Sequence, residues 1–245
     1  MGYANLKTVL ERIKMTVGFL NGQGKDTSTV FELEESYRDT PQMTIAMNQM
    51  RKDPDMKRLI SEGYTSPDFD LDQLEQCPRG SLGYTYAKMM KALNFDPHFY
   101  KGHDLPLSSD ENYCIMRVRK THDIHHCITG FGPANGGELS VIGVTAYQFG
   151  YPAFGLIDLT AVARAFQLAE VSTKDGRPMF MQDIDLVGQG MLLGRTCKPL
   201  LGIKWEEAWD KPLDRWREEL NVKPVTTTPN SWYVQVPNWE GSMTG

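Results

Sequence analysis

The chain of 245 residues predicts an all-α fold, a single helical domain of about ten helices. Apolar residues recur at three- and four-residue steps through most of the sequence, and no segment sustains the two-residue alternation of a half-buried strand. No repeat, low-complexity tract or clear linker divides the chain. Residues 1–222 therefore read as one domain and 223–245 as an irregular tail rich in Pro and Thr.

Leu6, Val9, Leu10, Ile13, Val17 and Leu20 make the N-terminal segment an amphipathic helix, which Asn21 to Gly24 ends. Asp26 to Ser28 offers caps for a second helix through Val30, Phe31 and Leu33. Thr40-Pro41 opens a third, carrying Met43, Ile45, Met47 and Met50; Pro54 breaks it, and Met56 to Gly63 continues as a short helix. Ser66 to Gln76 is acidic and reads as loop plus one turn, and Ser81 to Asn94 as a helix. A loop, Asp96 to Ser109, leads into a long helix from Asp110 to Thr129. Gly130 to Gly137 is a turn, Glu138 opens the return helix, and Gly150-Tyr151-Pro152 breaks it before a further helix to about Ala169. Lys174 to Pro178 is a turn, and Ile184 to Leu201 is helical and rich in small residues. Trp205 to Trp209 and Leu213 to Leu220 are two short amphipathic helices.

Apolar residues at 40% and charged residues at 23% are ordinary for a globular protein, and a net charge of −5 argues against nucleic acid as a partner. Cys77, Cys114, Cys127 and Cys197 form no close pair and read as free thiols in a reducing compartment, which points to the cytoplasm. Lys7, Glu11, Arg12 and Lys14 interrupt any signal-peptide core, and Leu6 breaks the myristoylation pattern of the Met1-Gly2 start. The longest uncharged run, Leu139 to Ile157, carries polar residues, Pro152 and three glycines, and reads as a buried segment.

All five histidines lie between His98 and His126, and three sit in the run His122-Asp123-Ile124-His125-His126. With Glu138 the pattern is H-D-x-x-H-(x11)-E. On a helix His122 and His126 share a face, and a carboxylate returning from the next helix completes a two-histidine, one-carboxylate metal site between two adjacent helices. Asp123 is a ligand, an orienting group for an imidazole, or a general base. Glu138 has a second explanation as a residue favoured at a helix start by the dipole. His125 faces the same cavity or lies outside it. Cys127, rotated by about 100° from His126, is expected to point elsewhere. Upstream, Arg117 and Arg119 are candidates to hold a phosphate or carboxylate near the metal, while Lys120 fits a solvated face equally well.

These residues resemble the ubiquinone (coenzyme Q) biosynthesis family Coq-four. The resemblance is carried by Arg117 to His126, by Thr129-Gly130-Phe131-Gly132, and by Gly137-Glu138. Gly80 to Tyr84 and the stretch from Gly194 through Gly202, Trp205-Glu206-Glu207 and Pro212-Leu213 support it. The resemblance implies a helical, membrane-associated protein of quinone-ring assembly, linked to scaffolding of other quinone-biosynthesis proteins and to oxidative decarboxylation of the ring. It also implies a divalent metal, Zn, Mg or Fe, held by His122, Asp123, His126 and Glu138. The sequence shows no mitochondrial transit peptide, which suggests a bacterial member, and Trp232, Tyr233 and Trp239 match nothing in the family pattern.

Gly143, Ala146 and Gly150 recur along one stretch of the return helix, and Gly188, Gly190 and Gly194 punctuate a later apolar helix. Small residues leave room for a neighbouring helix or for a prenyl chain, so an apolar cavity between these two helices is expected. Thirteen methionines are adaptable enough to line it.

Three functions compete. The first is a metal-dependent decarboxylase or hydroxylase of a prenylated hydroxybenzoate-type ring, with Asp123, Arg117 and Arg119 as its catalytic groups. The second is a non-catalytic prenyl-lipid-binding scaffold. The third, a metal phosphohydrolase, lacks the separated His and Asp that chemistry requires. Peripheral membrane docking through the first helix or through Trp232 and Trp239 is expected, and a homodimer is compatible with the chain.

Overall fold

The structure, a computed structural model, describes residues 5–22, 27–134, 136–168, 171–172 and 176–236. Met1-Gly2, Gly24, Asp26, Ala169, Lys174 and Trp239, which carry expectations above, lie outside the described residues. The helices are α1 (Leu6–Asn21), α2 (Ser28–Ser36), α3 (Pro41–Lys52), α4 (Pro54–Glu62), α5 (Leu71–Leu74), α6 (Leu82–Leu93), α7 (Asp110–Thr129), α8 (Gly137–Phe149), α9 (Pro152–Gln167), α10 (Met179–Thr196), α11 (Leu213–Leu220) and α12 (Trp232–Gln235). A 3-10 turn spans Trp205–Glu207. Among the described residues the only β-type pairings are isolated bridges, so the all-α reading holds.

α7 is the axis of the molecule. Fifteen of its 20 residues are buried, so it is covered on all sides, as expected of a helix inside a bundle. Its start is fixed by Ser109, whose hydroxyl accepts the Asn112 amide at 3.2 Å, with Asp110 and Glu111 in the first turn. Its end is fixed by Gly130 at φ +83°. A Cβ at Gly130 would stand 2.2 Å from the carbonyl oxygen of Val225, so position 130 needs glycine for space as well as for conformation.

Two large apolar clusters meet on α7. One joins α6, α11, Trp205 and Trp232 to Ile124, Cys127 and Ile128. The other joins α2, α3, α4, α8 and α9 to Tyr113, Cys114, Ile115 and Val118. Trp205 and Trp232 are fully buried in the first of these clusters, where large aromatic rings fill much volume per residue.

Several expectations change. α10 begins at Met179 rather than Ile184, directly after Pro178, and ends at Thr196 because Cys197 turns extended (φ −88°, ψ 163°) ahead of Pro199. The stretch after Trp205 is a single 3-10 turn, since Ala208 leaves helical geometry (φ −144°, ψ 47°). The chain after Val222 is mostly irregular, yet it is tied to the loop after α7. The Val225 amide donates to Thr129 O at 2.9 Å, the Trp232 amide to Gly130 O at 3.1 Å, and the Gly132 amide to Asn230 O at 2.7 Å. Trp232 is therefore a core residue, not an exposed membrane anchor.

α1 buries Arg12 and Thr16, while Leu6 and Leu10 are exposed. The Arg12 Nε donates to the Ser36 hydroxyl at 3.1 Å, and its guanidinium lies 3.9 Å from the centre of the Tyr37 ring. The expected apolar stripe is thus only partly used for packing. Among the described residues no helix is long and apolar enough to cross a membrane.

Candidate metal centre

α7 and α8 lie side by side, joined by the glycine-rich segment 130–137, and their facing turns bring the motif residues together. His122 and His126 stand one turn apart on α7. Glu138 in the first turn of α8 lies between them. One carboxylate oxygen is 2.7 Å from His122 Nε2, and the other is 3.1 Å from His126 Nε2. The two Nε2 atoms are 3.3 Å apart. Asp123 brings a carboxylate oxygen to the same place: ligand atoms of His122, Asp123 and His126 all lie within 4.8 Å of one another.

The tautomer of His126 is set from behind. Its Nδ1 lies 2.8 Å from the carbonyl oxygen of Phe131, which only accepts, so Nδ1 carries the proton. The Nε2 lone pair is then directed at His122 and Glu138. Two imidazole nitrogens and a carboxylate this close suit a cation among them, and imidazole with carboxylate is a donor set for a divalent metal. The residues present fit such an ion.

The electrostatics agree. Burial works against charge on His122, but the Glu138 carboxylate, with Asp123 and Glu34 behind it, holds its pKa up at about 9. Burial alone would raise Glu138, yet His122 and His126 keep it well below the usual carboxylate range. Asp123 is pushed up by burial, against the pull of both histidines, which leaves it readier than a surface aspartate to carry a proton.

The remaining motif residues are not in the cluster. His125 is buried on another side of α7, its ring 6.2 Å from that of Trp205, and burial pushes its pKa well below the usual histidine range. Cys127 points away, its thiol 3.8 Å from the sulfur of Met89. His98 packs on Phe69 and His103 on Phe31.

The two arginines are committed elsewhere. Arg117 donates to Glu206 at 2.6 Å, to Leu201 O at 3.0 Å and to Ile203 O. Arg119 donates to Glu34 from Nε and Nη2, both at 2.8 Å, and to His103 O at 2.6 Å. Both are buried, and these bonds bind α7 to its neighbours rather than forming an anion clamp beside the histidines.

The small residues of α8 also meet protein. A Cβ on Gly190 would stand 2.1 Å from Ser140 O, so α8 and α10 touch backbone to backbone there. Gly143 faces the same contact, Ala146 is partly buried against the apolar cluster, and Gly150 at φ +67° ends α8. The space expected between α8 and α10 is filled by the helices themselves along this contact.

Sequence reasoning missed three neighbours of the site. Phe154 on α9 has its ring 6.0 Å from that of His122. Glu34 on α2 is buried and held by Arg119 and by the Tyr151 hydroxyl, which donates at 2.7 Å. The third is the carbonyl of Phe131. None of the three carries a local signal, because α2, α9 and the segment after α7 come together only in the folded chain.

Comparison with known proteins gives a consistent result. The family model "Coenzyme Q (ubiquinone) biosynthesis protein Coq4" matches residues 9–226. The mitochondrial ubiquinone biosynthesis protein COQ4 of Zygosaccharomyces rouxii is 30% identical over 173 residues, covering 69% of this chain and 48% of that protein. The mitochondrial COQ4 homolog of Rattus norvegicus is 27% identical over 179 residues, covering 72% of this chain and 64% of that protein. The chain thus spans about half to two thirds of the length of these curated relatives. A crystal structure from Nostoc punctiforme, of a protein assigned provisionally to ubiquinone biosynthesis, superposes with a TM-score of 0.73 at 26% identity, covering 89% of this chain and 98% of that one.

Proposed function

The chain belongs to the Coq4 family of coenzyme Q biosynthesis proteins, and from that premise we propose that it binds a divalent cation and a prenylated aromatic precursor of a quinone. His122, His126 and Glu138 hold the cation, with Asp123 beside them, and the reaction is oxidative decarboxylation of the ring: the ring–carboxylate bond breaks with loss of CO2, a hydroxyl from water takes its place, and dioxygen takes up the two electrons and two protons and leaves as hydrogen peroxide. The observation that carries this reading is the placement of Glu138, whose two carboxylate oxygens face two different imidazole Nε2 atoms. A divalent cation there supplies Lewis-acid polarisation of the ring's carboxylate or phenolic oxygens. Asp123 is the nearest group able to move a proton without being needed to bridge the histidines, and Phe154 lies beside His122, its ring 6.0 Å away.

A second reading has its own observation. Arg117 and Arg119 are occupied by Glu206 and Glu34, so neither stands ready to hold a leaving carboxylate. A site without that clamp suits a protein that binds the prenylated ring and presents it to other quinone-biosynthesis enzymes. Purified, metal-loaded protein separates the two. Turnover of a prenylated hydroxybenzoate, lowered by ~100-fold or more in Asp123→Asn with metal retained, supports the enzyme. A copurified prenyl lipid, seen by mass spectrometry, without turnover under any divalent metal supports the scaffold. Neither turnover nor lipid would contradict both.

Access to a prenyl chain requires docking on a bilayer. Leu6 (70% exposed) and Leu10 on α1, beside Lys7 and Lys14, form the surface proposed to dock. Co-sedimentation with anionic vesicles should weaken on removal of residues 1–22; unchanged binding by a folded truncated protein would discard α1 as the anchor.

A further inference from the structure

The segment between α7 and α8 is fastened by one side chain from the C-terminal residues. Gln235, the last residue of α12, pairs its carboxamide with both backbone groups of Ala134. The Ala134 amide donates to Gln235 Oε1 at 3.1 Å, and Gln235 Nε2 donates to Ala134 O at 2.7 Å. Nε2 also donates to Pro229 O at 3.0 Å. The carboxamide closes against Gly132, where a Cβ would collide with Oε1. Trp232, and Val236 just past the end of α12, anchor this short helix in the core, and the Ser231 hydroxyl donates to Val225 O at 2.7 Å.

Both ends of the fastened segment reach the cluster of histidines and carboxylates. At one end, Phe131 O accepts from His126 Nδ1 at 2.8 Å. At the other, Ala134 O accepts the Gly137 amide at 3.1 Å, and Glu138 is the next residue. A carboxamide suits Ala134 because it offers a donor and an acceptor side by side. A carboxylate has no donor for Ala134 O, and a thioether of the same length is at most a weak acceptor. Gln235 lies beyond residues 9–226, which the family model matches.

We propose that Gln235 is a positioning residue of the metal centre, which holds Ala134 so that Phe131 O aims the His126 imidazole and Gly137 presents Glu138. This rests on the reading that His122, His126 and Glu138 hold a divalent cation, and it names a side chain that sets the placement of two of them. Gln235 acts through the backbone of segment 130–137, and its hydrogen bonds rather than its bulk do the positioning.

The test uses the metal-free full chain, titrated in turn with zinc(II), iron(II) and magnesium(II); the tightest binder is then used throughout. Gln235→Met, which keeps the length, and Gln235→Glu, which keeps the shape, should each bind that metal ~10-fold more weakly than wild type. Val234→Ala, at the exposed position beside it, should match wild type. In the metal-free proteins the His126 Nδ1–H proton signal should move in both Gln235 variants and stay in place in Val234→Ala. If the Gln235 variants do not fold, wild type alone decides. Linkage is reciprocal, so metal must strengthen the hold on Ala134 by the factor that the hold strengthens metal, and hydrogen exchange of the Ala134 amide should slow ~10-fold on saturation. Wild-type affinity in both folded variants overturns the inference, as does an unmoved His126 signal. So does a loss of affinity shared by Val234→Ala, or an Ala134 amide whose exchange metal leaves unchanged. Wild type that takes up none of the three metals defeats the reading of the site, and this inference with it. Equal uptake by wild type and both Gln235 variants, with metal lost in His126→Ala, defeats only the inference.

Discussion

His126 donates from Nδ1 to the carbonyl of Phe131, 2.8 Å away and five residues on, where the chain has already left α7. That bond turns the Nε2 lone pair towards Glu138 and His122. It depends on the path of segment 130–137, and that path depends on Gly130 and on the C-terminal residues lying against it. The histidine and carboxylate cluster is therefore held in place by segments that contribute no residue to it.

The first prediction concerns Arg117. Its pairing with Glu206 is almost fully buried, 3% and 2% exposed. Removing one partner of such a pair leaves a charge unmatched and costs about 3–5 kcal/mol. Arg117→Ala should lower the free energy of urea unfolding by that order, while the folded fraction keeps its metal. A variant as stable as wild type with weaker affinity for a carboxylated ring would instead return Arg117 to the role of anion clamp.

The second concerns pH. The Asp158 pKa is raised by burial and by Glu138 from 3.8 to about 8. The unfolded chain therefore releases this proton first. The stability from the buried neutral acid is fully present below about pH 4 and is lost as pH rises towards 8. Asp158→Asn has no proton to lose, so its thermal midpoint relative to wild type should rise between pH 5 and pH 8, by roughly 5 °C or more. His122, also raised, is common to both proteins and cancels in the difference. A constant difference across that range would show that Asp158 is ionised in the folded protein.

The third compares two glycines of α10. A Cβ at Gly190 would meet Ser140 O at 2.1 Å, whereas Gly188 has nothing within 4 Å. Gly190→Ala should destabilise by about 1–3 kcal/mol by forcing α8 from α10. Gly188→Ala should stabilise by about 0.5–1 kcal/mol through helix propensity. Denaturant titration of both reads this out, and equal effects would mean that the α8–α10 contact is not as close as described.

Much of this was legible in the sequence where local rules suffice. α7 begins and ends at Asp110 and Thr129 as expected, because Ser109 and Gly130 are unambiguous caps, and α11 matches at both ends. Helical spacing put His122 and His126 on one face, and the glycine-rich turn with its return helix brought Glu138 back towards them. What stayed hidden depends on distant partners. Nothing local says that Glu206 lies against Arg117, or Glu34 against Arg119, separated from them by 89 and 85 residues. The same holds for Trp232, which looked exposed until segment 130–137 supplied its backbone partners. The small residues of α8 and α10 suited a helix contact or a lipid chain equally, and only the packing distinguished them. α10 starts at Met179, ahead of the expected Ile184: Met179 to Asp183 shows no helical stripe, although Pro178 marks the entry.

The measurement closest to the centre of the account is the metal content of the purified protein, with its proton release on binding. Elemental analysis of wild type, His126→Ala and Glu138→Gln should give about one divalent ion per chain in the first and a loss of most of it in the other two. Because the His122 pKa is raised to about 9 by Glu138, the metal-free protein holds a proton there at pH 7.5, and adding metal should release it. The account predicts one ion per wild-type chain, depleted variants and a proton released on binding. Equal metal content in all three proteins, or none in any after loading, would contradict it.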